Sequence, residues 1–322
     1  MNTPQVNKPF PIPVNYFGMT LGLFSLGLAW RYAEQASLNV PTWMDHLILA
    51  SSSIIWLGLL VTYLYKWLKA RPAAQGEFNH PVLSGFISLI PITTMLMGLT
   101  LLPYSYLLAA CFIGIGTVAQ LGFLAYRTGG LLQGTHNDLA QTPVLYLTNV
   151  ATNFVSTIGL ANLGYIEIAY LFFGMGMFSW LSLEPAILRR LRNLGPLDPA
   201  LRPTLGIQLA PGFVAASTLI HMLHGAPSHW VLILAGYGSL QLLILLRLLP
   251  WILEKGFNMG FWAFSFGLGS MAYVGVYLQH ALGTSPGIAT LGQAFFIIGN
   301  LGVFILVAGT FYLIGRGKFL VK

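Results

Sequence analysis

Apolar runs of membrane-spanning length recur along the whole chain, separated by short polar punctuation. A spanning helix needs roughly 20 apolar residues. Ten such stretches can be marked: 14–34, 43–66, 81–102, 104–127, 143–163, 165–187, 203–222, 229–249, 257–281 and 288–314. The connections alternate. Those after odd helices are short: around Asn39-Val40-Pro41, Leu102-Pro103, Asn162-Leu163-Gly164, Gly225-Ala226-Pro227 and Gly283-Thr284-Ser285-Pro286. Those after even helices are mostly longer and basic. The spacing predicts five helical hairpins in series, with a repeat of roughly 60 residues.

The odd helices differ in character from the even ones. The first carries the stripe Asn15, Gly18, Gly22, Ser25, Ala29, and the third Ser84, Ser88, Pro91, Thr94, Gly98. The fifth has Asn149, Thr152, Asn153, Ser156, Gly159, and the seventh Gly206, Ala210, Phe213, Ser217, with Pro211 alongside. The ninth has Ala263, Phe266, Gly269, Ser270, Tyr273. Steps of three or four residues keep each stripe on one helix face. Small residues at this spacing let membrane helices approach one another, and the same pattern can line a narrow path. Because the stripes alternate with hairpin position, while stretches such as 240–246 read as lipid-facing, an inner ring of five odd helices is expected. Pro91 and Pro211 sit mid-helix, where each should kink its helix and free a carbonyl. Such groups are tolerated at membrane depth where they face protein or water. Phe266 is a large ring on a mostly small face. It obstructs a path if that face lines one, and is a packing aromatic otherwise.

Composition fits an all-α integral membrane protein. Of 322 residues 56% are hydrophobic and 7% charged, where a soluble domain carries about 25% charged residues. One transmembrane domain over 1–322 is expected, with short tails at 1–13 and 315–322. No GxxxxGK[ST] motif occurs, so the chain is not expected to be a primary pump by itself. The single cysteine, Cys111, permits no intrachain disulfide. The first apolar segment lacks an A-x-A cleavage site and reads as a retained helix. The net charge of +7 is not a nucleic-acid signal, because fourteen of the fifteen Lys and Arg fall on one side of the membrane and only Arg31 on the other. That bias is first a topology signal that puts both termini in the cytoplasm; an anion-attracting cytoplasmic vestibule is a secondary reading of the same charge, compatible with the first.

Candidate chemistry is sparse. No ionisable residue sits in the middle of an odd helix. Glu184, just before Pro185 at the end of the sixth helix, reads as structural and paired with a nearby Arg, while Asp45 and Glu167 lie near the outer interface. Proton-coupled carriers usually need an intramembrane Asp, Glu or His, and cation pores often use acidic rings. Passive conduction of anions is therefore favoured. His221 and His224 are one turn apart with His229 nearby, a spacing that can hold a metal. With no Cys or carboxylate beside them, interfacial polarity is the better reading. No cofactor or metal is expected, and no Ser-His-Asp arrangement suggests an enzyme.

An ordered set of motifs adds to this reading. Asn15-Tyr16-Phe17-Gly18, His80-Pro81-Val82, Leu89-Ile90-Pro91-Ile92-Thr93-Thr94-Met95, Ser182-Leu183-Glu184-Pro185, Gly206-Ile207-Gln208-Leu209-Ala210-Pro211 and Trp262-Ala263-Phe264-Ser265-Phe266-Gly267 resemble the bacterial tellurite-resistance/dicarboxylate transporter family. That family includes plant slow-type guard-cell anion channels and fungal dicarboxylate transporters. The resemblance runs from about residue 8 to the C-terminus. It implies a homotrimer in the bacterial inner membrane, each ten-helix protomer holding its own pore within a quasi-five-fold ring of odd helices. Phe266 then occludes the pore and Gly18 is a tightly packed lining position. The expected lining is Gly18, Gly22, Pro91, Thr94, Asn149, Thr152, Ala210, Pro211, Ala263, Gly269 and Ser270. The fifth helix departs from the third and seventh, since its only proline, Pro143, lies at its start. Expected partners are the bilayer and inorganic or small organic anions. Two functional readings stay open: a passive anion channel, and a carrier for dicarboxylates or oxyanions such as tellurite.

Overall fold

The computed structural model describes residues 10–135, 138–282 and 285–321. Lys8 and Lys322, counted above among the basic residues, lie outside these, as do Gly283 and Thr284 of the last short connection. The described residues are helical, with no strand. In chain order the α-helices are α1 (Phe17–Gln35), α2 (Met44–Lys69), α3 (Arg71–Asn79), α4 (Leu89–Leu101), α5 (Tyr106–Gly130), α6 (Thr152–Asn162), α7 (Ile166–Asn193), α8 (Ala210–Met222), α9 (His229–Ile252), α10 (Ser265–His280) and α11 (Pro286–Gly315). Eight helical segments among the described residues are long and apolar enough to cross a membrane. The two expected spans that fall short are α1, which carries Arg31 and Glu34, and the short α6.

Inner and outer helices separate clearly. In the segments 202–222 and 259–280, which contain α8 and α10, 89% of the apolar window is buried; in those of α2, α5, α7, α9 and α11 the share is only 22% to 28%. Helix α1 packs on α4 and α10, α4 on α6, α6 on α8, and α8 on α10, so the contacts return to their start. Each of these is covered by the helix that follows its short connection: α2 on α1, α5 on α4, α7 on α6, α9 on α8 and α11 on α10. Side chains such as Ile54, Leu107, Phe178, Leu243 and Phe304 are exposed on the outer layer. An apolar exterior of this extent is stable against lipid, not water.

The two proline kinks take a different form from the one expected. Pro91 and Pro211 each lie in the first turn of an α-helix, where a missing N–H removes no bond. The residues before them, Leu83–Ser88 and Arg202–Leu209, wind as 3-10 helix instead. A proline ring excludes the α-helical carbonyl four residues earlier, and the tighter 3-10 turn avoids that clash. The change of pitch is general to the inner layer. Val14–Tyr16 and Met259–Phe264 are also 3-10, and Leu147–Ala151 is a π-helical turn. All five inner α-helices thus begin after a segment of different pitch.

The connection after α2 is also not a plain loop. It contains α3, started by Pro72 in its first turn. Glu77 of α3 accepts both bonds from the buried Lys66 ammonium at 2.9 Å, and its Oε1 lies 3.3 Å from the Val14 amide. Helix α3 therefore ties the end of α2 to the start of α1.

Candidate functional site

Two small cavities lie in line within the inner layer. The first, about 30 Å³, is bounded by the N-terminal halves of all five inner segments: Asn15, Gly18 and Leu21; Phe86 and Leu89; Tyr146, Leu147, Val150, Ala151 and Phe154; Ile207, Ala210, Pro211 and Val214; and Met259, Trp262 and Ala263. The second, about 20 Å³, is bounded by the C-terminal halves: Ser25 and Leu28, Leu96, Ile158, Ser217 and His221, and Ser270 and Tyr273. Phe266 lines both. Its side chain is buried, 5% exposed.

The rotation of α10 explains why that ring points inward. The Ser265 hydroxyl donates to the Gly18 carbonyl at 3.0 Å. Gly269 meets Ser25, where an added Cβ would lie 2.6 Å from the hydroxyl oxygen. Both contacts press α10 on α1. Gly267 meets Leu209, at the start of α8, with the equivalent distance 2.7 Å. Gly275 is pressed on Gly292 of α11, and Trp262 Nε1 donates to Thr310 of α11 at 2.9 Å. With α1 and α8 on its flanks and α11 behind, the face carrying Phe266 is left for the axis.

Five of the residues expected to line a path touch these cavities: Gly18, Ala210, Pro211 and Ala263 the first, and Ser270 the second. The other six border neither cavity. Gly22 faces Ser265 and Gly269 faces Ser25. The Pro91 carbonyl lies beside Gly116 of α5. Thr94 donates to the Ile90 carbonyl and Thr152 to that of Thr148. Asn149 Oδ1 accepts from Thr128 of α5 at 2.7 Å. A stripe drawn at steps of three or four is wide enough to include both the axial face and its flank, which is why the set divides. Tyr146 and His221 were missed. His221 lies four residues beyond Ser217, so extending the seventh stripe by one step finds it.

The lining is nearly uncharged. No Asp, Glu, Lys or Arg borders either cavity. Glu184 lies behind the wall, bonded to Tyr146 of the first cavity. It is held not by an arginine, as expected, but by neutral donors: the Tyr146 hydroxyl, Trp180 Nε1 at 2.9 Å and the Tyr237 hydroxyl at 2.5 Å. Gln241 in turn donates to Tyr237 at 2.7 Å. The carboxylate thus anchors Tyr146, a wall residue, from behind. Asn15 Oδ1 is buried at the first cavity without a partner among the described residues. Of the basic residues expected at one mouth, Arg189 is exposed. Arg190 is buried and donates to the Leu139 and Gly195 carbonyls at 3.1 and 2.9 Å.

An all-helical chain with an apolar exterior and paired voids along its inner helices is a multi-pass membrane protein. Sequence comparison specifies the class. The family described as voltage-dependent anion channel, SLAC1, matches residues 11–311, and the chain belongs to it. The tellurite resistance protein TehA homolog of Haemophilus influenzae is 42% identical over 323 residues, covering 100% of this chain and 97% of that protein. Two Arabidopsis thaliana relatives are more distant. The S-type anion channel SLAH2 is 26% identical over 63% of this chain and 40% of its own length. SLAH4 is 23% identical over 91% and 80%.

Proposed function

We propose that the chain is a passive anion channel of the bacterial inner membrane, with ten spans arranged as five hairpins around an axial path that Phe266 shuts. One observation carries the reading: Phe266 is the residue common to two cavities that the same five helices enclose. On this account α1 and the short 147–162 segment also cross the bilayer. Their polar and short character is acceptable because the outer helices, not lipid, surround them. The basic bias supports cytoplasmic termini, which makes the first cavity the cytoplasmic one.

The absence of charge around both cavities favours a channel over a carrier. A carboxylate or oxyanion carrier is expected to offer an Arg or Lys at the midplane, whereas a neutral wall binds weakly and permits fast exit. The carrier reading retains the support of the tellurite-resistance relative. A homotrimer with one path per protomer is the assembly we propose from the family resemblance.

Reversal potentials in a planar bilayer test the assignment. In a salt gradient across the Phe266→Ala protein, they should follow the anion at currents of channel size. Potentials that track the cation would overturn it.

A further inference from the structure

Beyond Phe266 the second cavity holds polar groups that packing leaves unused. Ser25 is 7% exposed and Ser270 3%. Both line the cavity, and neither hydroxyl has a hydrogen-bond partner among the described residues. A serine in an apolar helix ordinarily donates to a carbonyl three or four residues back, as Ser217 does to Val214 at 2.9 Å and Ser239 to Ala235 at 2.8 Å. Ser25 and Ser270 do not, although each sits within a helix.

His221 supplies a third donor. Asn162 Nδ2 donates to the Ile158 carbonyl at 2.8 Å, a contact that fixes this atom as the amide nitrogen. The same nitrogen lies 2.9 Å from His221 Nδ1. Nδ1 is therefore the acceptor, and the neutral ring carries its proton on Nε2. The ring is held by stacking on Tyr273, with centroids 4.7 Å apart, and Tyr273 stacks on Tyr32 at 4.5 Å. No carboxylate borders this space. A hydroxyl can donate or accept, but an imidazole N–H only donates, so the set suits an anion better than a cation. A cavity needs roughly 10–15 Å³ to admit one water, and the 20 Å³ here admits a single small species.

We propose that this cavity is a binding site for one monovalent anion of the halide class, held by the Ser25 and Ser270 hydroxyls and His221 Nε2–H on the far side of Phe266. Dipolar donors replace part of the ion's hydration shell without the tight hold of a fixed charge. The site's role in conduction rests on the channel reading; occupancy itself does not, because binding needs no current.

The test uses purified wild-type protein with bromide in place of chloride. Anomalous scattering should show a bromide peak bounded by Ser25, His221 and Ser270. Bromide titrated at constant ionic strength against gluconate should raise the unfolding temperature to a plateau. Ser25→Ala with Ser270→Ala should shift the half-saturating concentration about tenfold or more upward, and His221→Phe, which keeps the stacking, should act in the same direction. No peak in wild type at saturating bromide, or a titration unchanged in both variants, would overturn the site. Loss of the site with intact currents through Phe266→Ala leaves the gate standing. A bound bromide with no current in that variant removes the gate and leaves the site.

Discussion

Gly22 of α1 and Ser265 of α10 meet so closely that a Cβ on the glycine would lie 2.2 Å from that of the serine. Three residues of α10, Ser265, Gly267 and Gly269, pack on α1 and on Leu209 before α8, and these contacts set the direction in which the Phe266 ring points. The small-residue stripe of the first helix thus serves contact at this point, and through contact it aims the ring.

Replacement of Gly22 by valine should force α1 and α10 apart, at a cost of about 1–3 kcal/mol for overpacking. Gly114 of α5 has nothing within 4 Å of an added Cβ and serves as the control. Thermal unfolding in detergent should show a clear loss for Gly22→Val and none for Gly114→Ala. Equal behaviour of the two would mean that the α1–α10 seam is looser than described.

Glu184 separates structural from transport chemistry. Its carboxylate accepts from three side chains, so Glu184→Ala leaves buried donors unpaired, each worth about 1–3 kcal/mol. Glu184→Gln keeps one good acceptor and most of the shape and should be the milder change. If the residue only braces Tyr146, anion flux in liposomes should survive in Glu184→Gln. Abolished flux in a folded Gln variant would point to a proton-coupled carrier.

The two neighbouring arginines should behave differently. Arg189 is exposed, and its loss should lower conductance mainly at low salt, because the Debye length shortens from about 30 Å at 0.01 M to about 10 Å at 0.1 M. Arg190 holds two loop carbonyls, so Arg190→Ala should lower the unfolding temperature instead. Conductance measured at both salt concentrations, beside thermal stability, distinguishes the roles.

Much of this architecture is legible in the sequence because lipid imposes a simple rule: long apolar runs lie outside and small, polar stripes inside. The outer run 240–246 and the inner stripe from Ala263 to Tyr273 both follow it. Segment pitch is not legible in the same way. Pro91 and Pro211 mark two of the five changes, but Val14–Tyr16, Leu147–Ala151 and Met259–Phe264 contain no proline. Helix α3 escaped because its short, polar, alanine-rich run resembles a basic loop, and its anchor, the Lys66–Glu77 pair, spans eleven residues. The individual lining positions escaped for a geometric reason. At about 100° per residue, positions four apart are offset by about 40°, enough that Gly18 reaches the cavity while Gly22, one turn on, meets Ser265.

The central claim is that the Phe266 ring closes an anion path, and the most direct measurement is current and thermal stability on the same purified Phe266→Ala protein in planar bilayers. An apolar plug adds a desolvation barrier to its bulk. The account predicts a large rise in anion conductance for Ala and a smaller one for Phe266→Leu. As a mere packing residue, Phe266 would leave a cavity on truncation and cost about 3–5 kcal/mol of stability. A Phe266→Ala protein that is destabilised to that extent yet conducts no more than wild type would contradict the account.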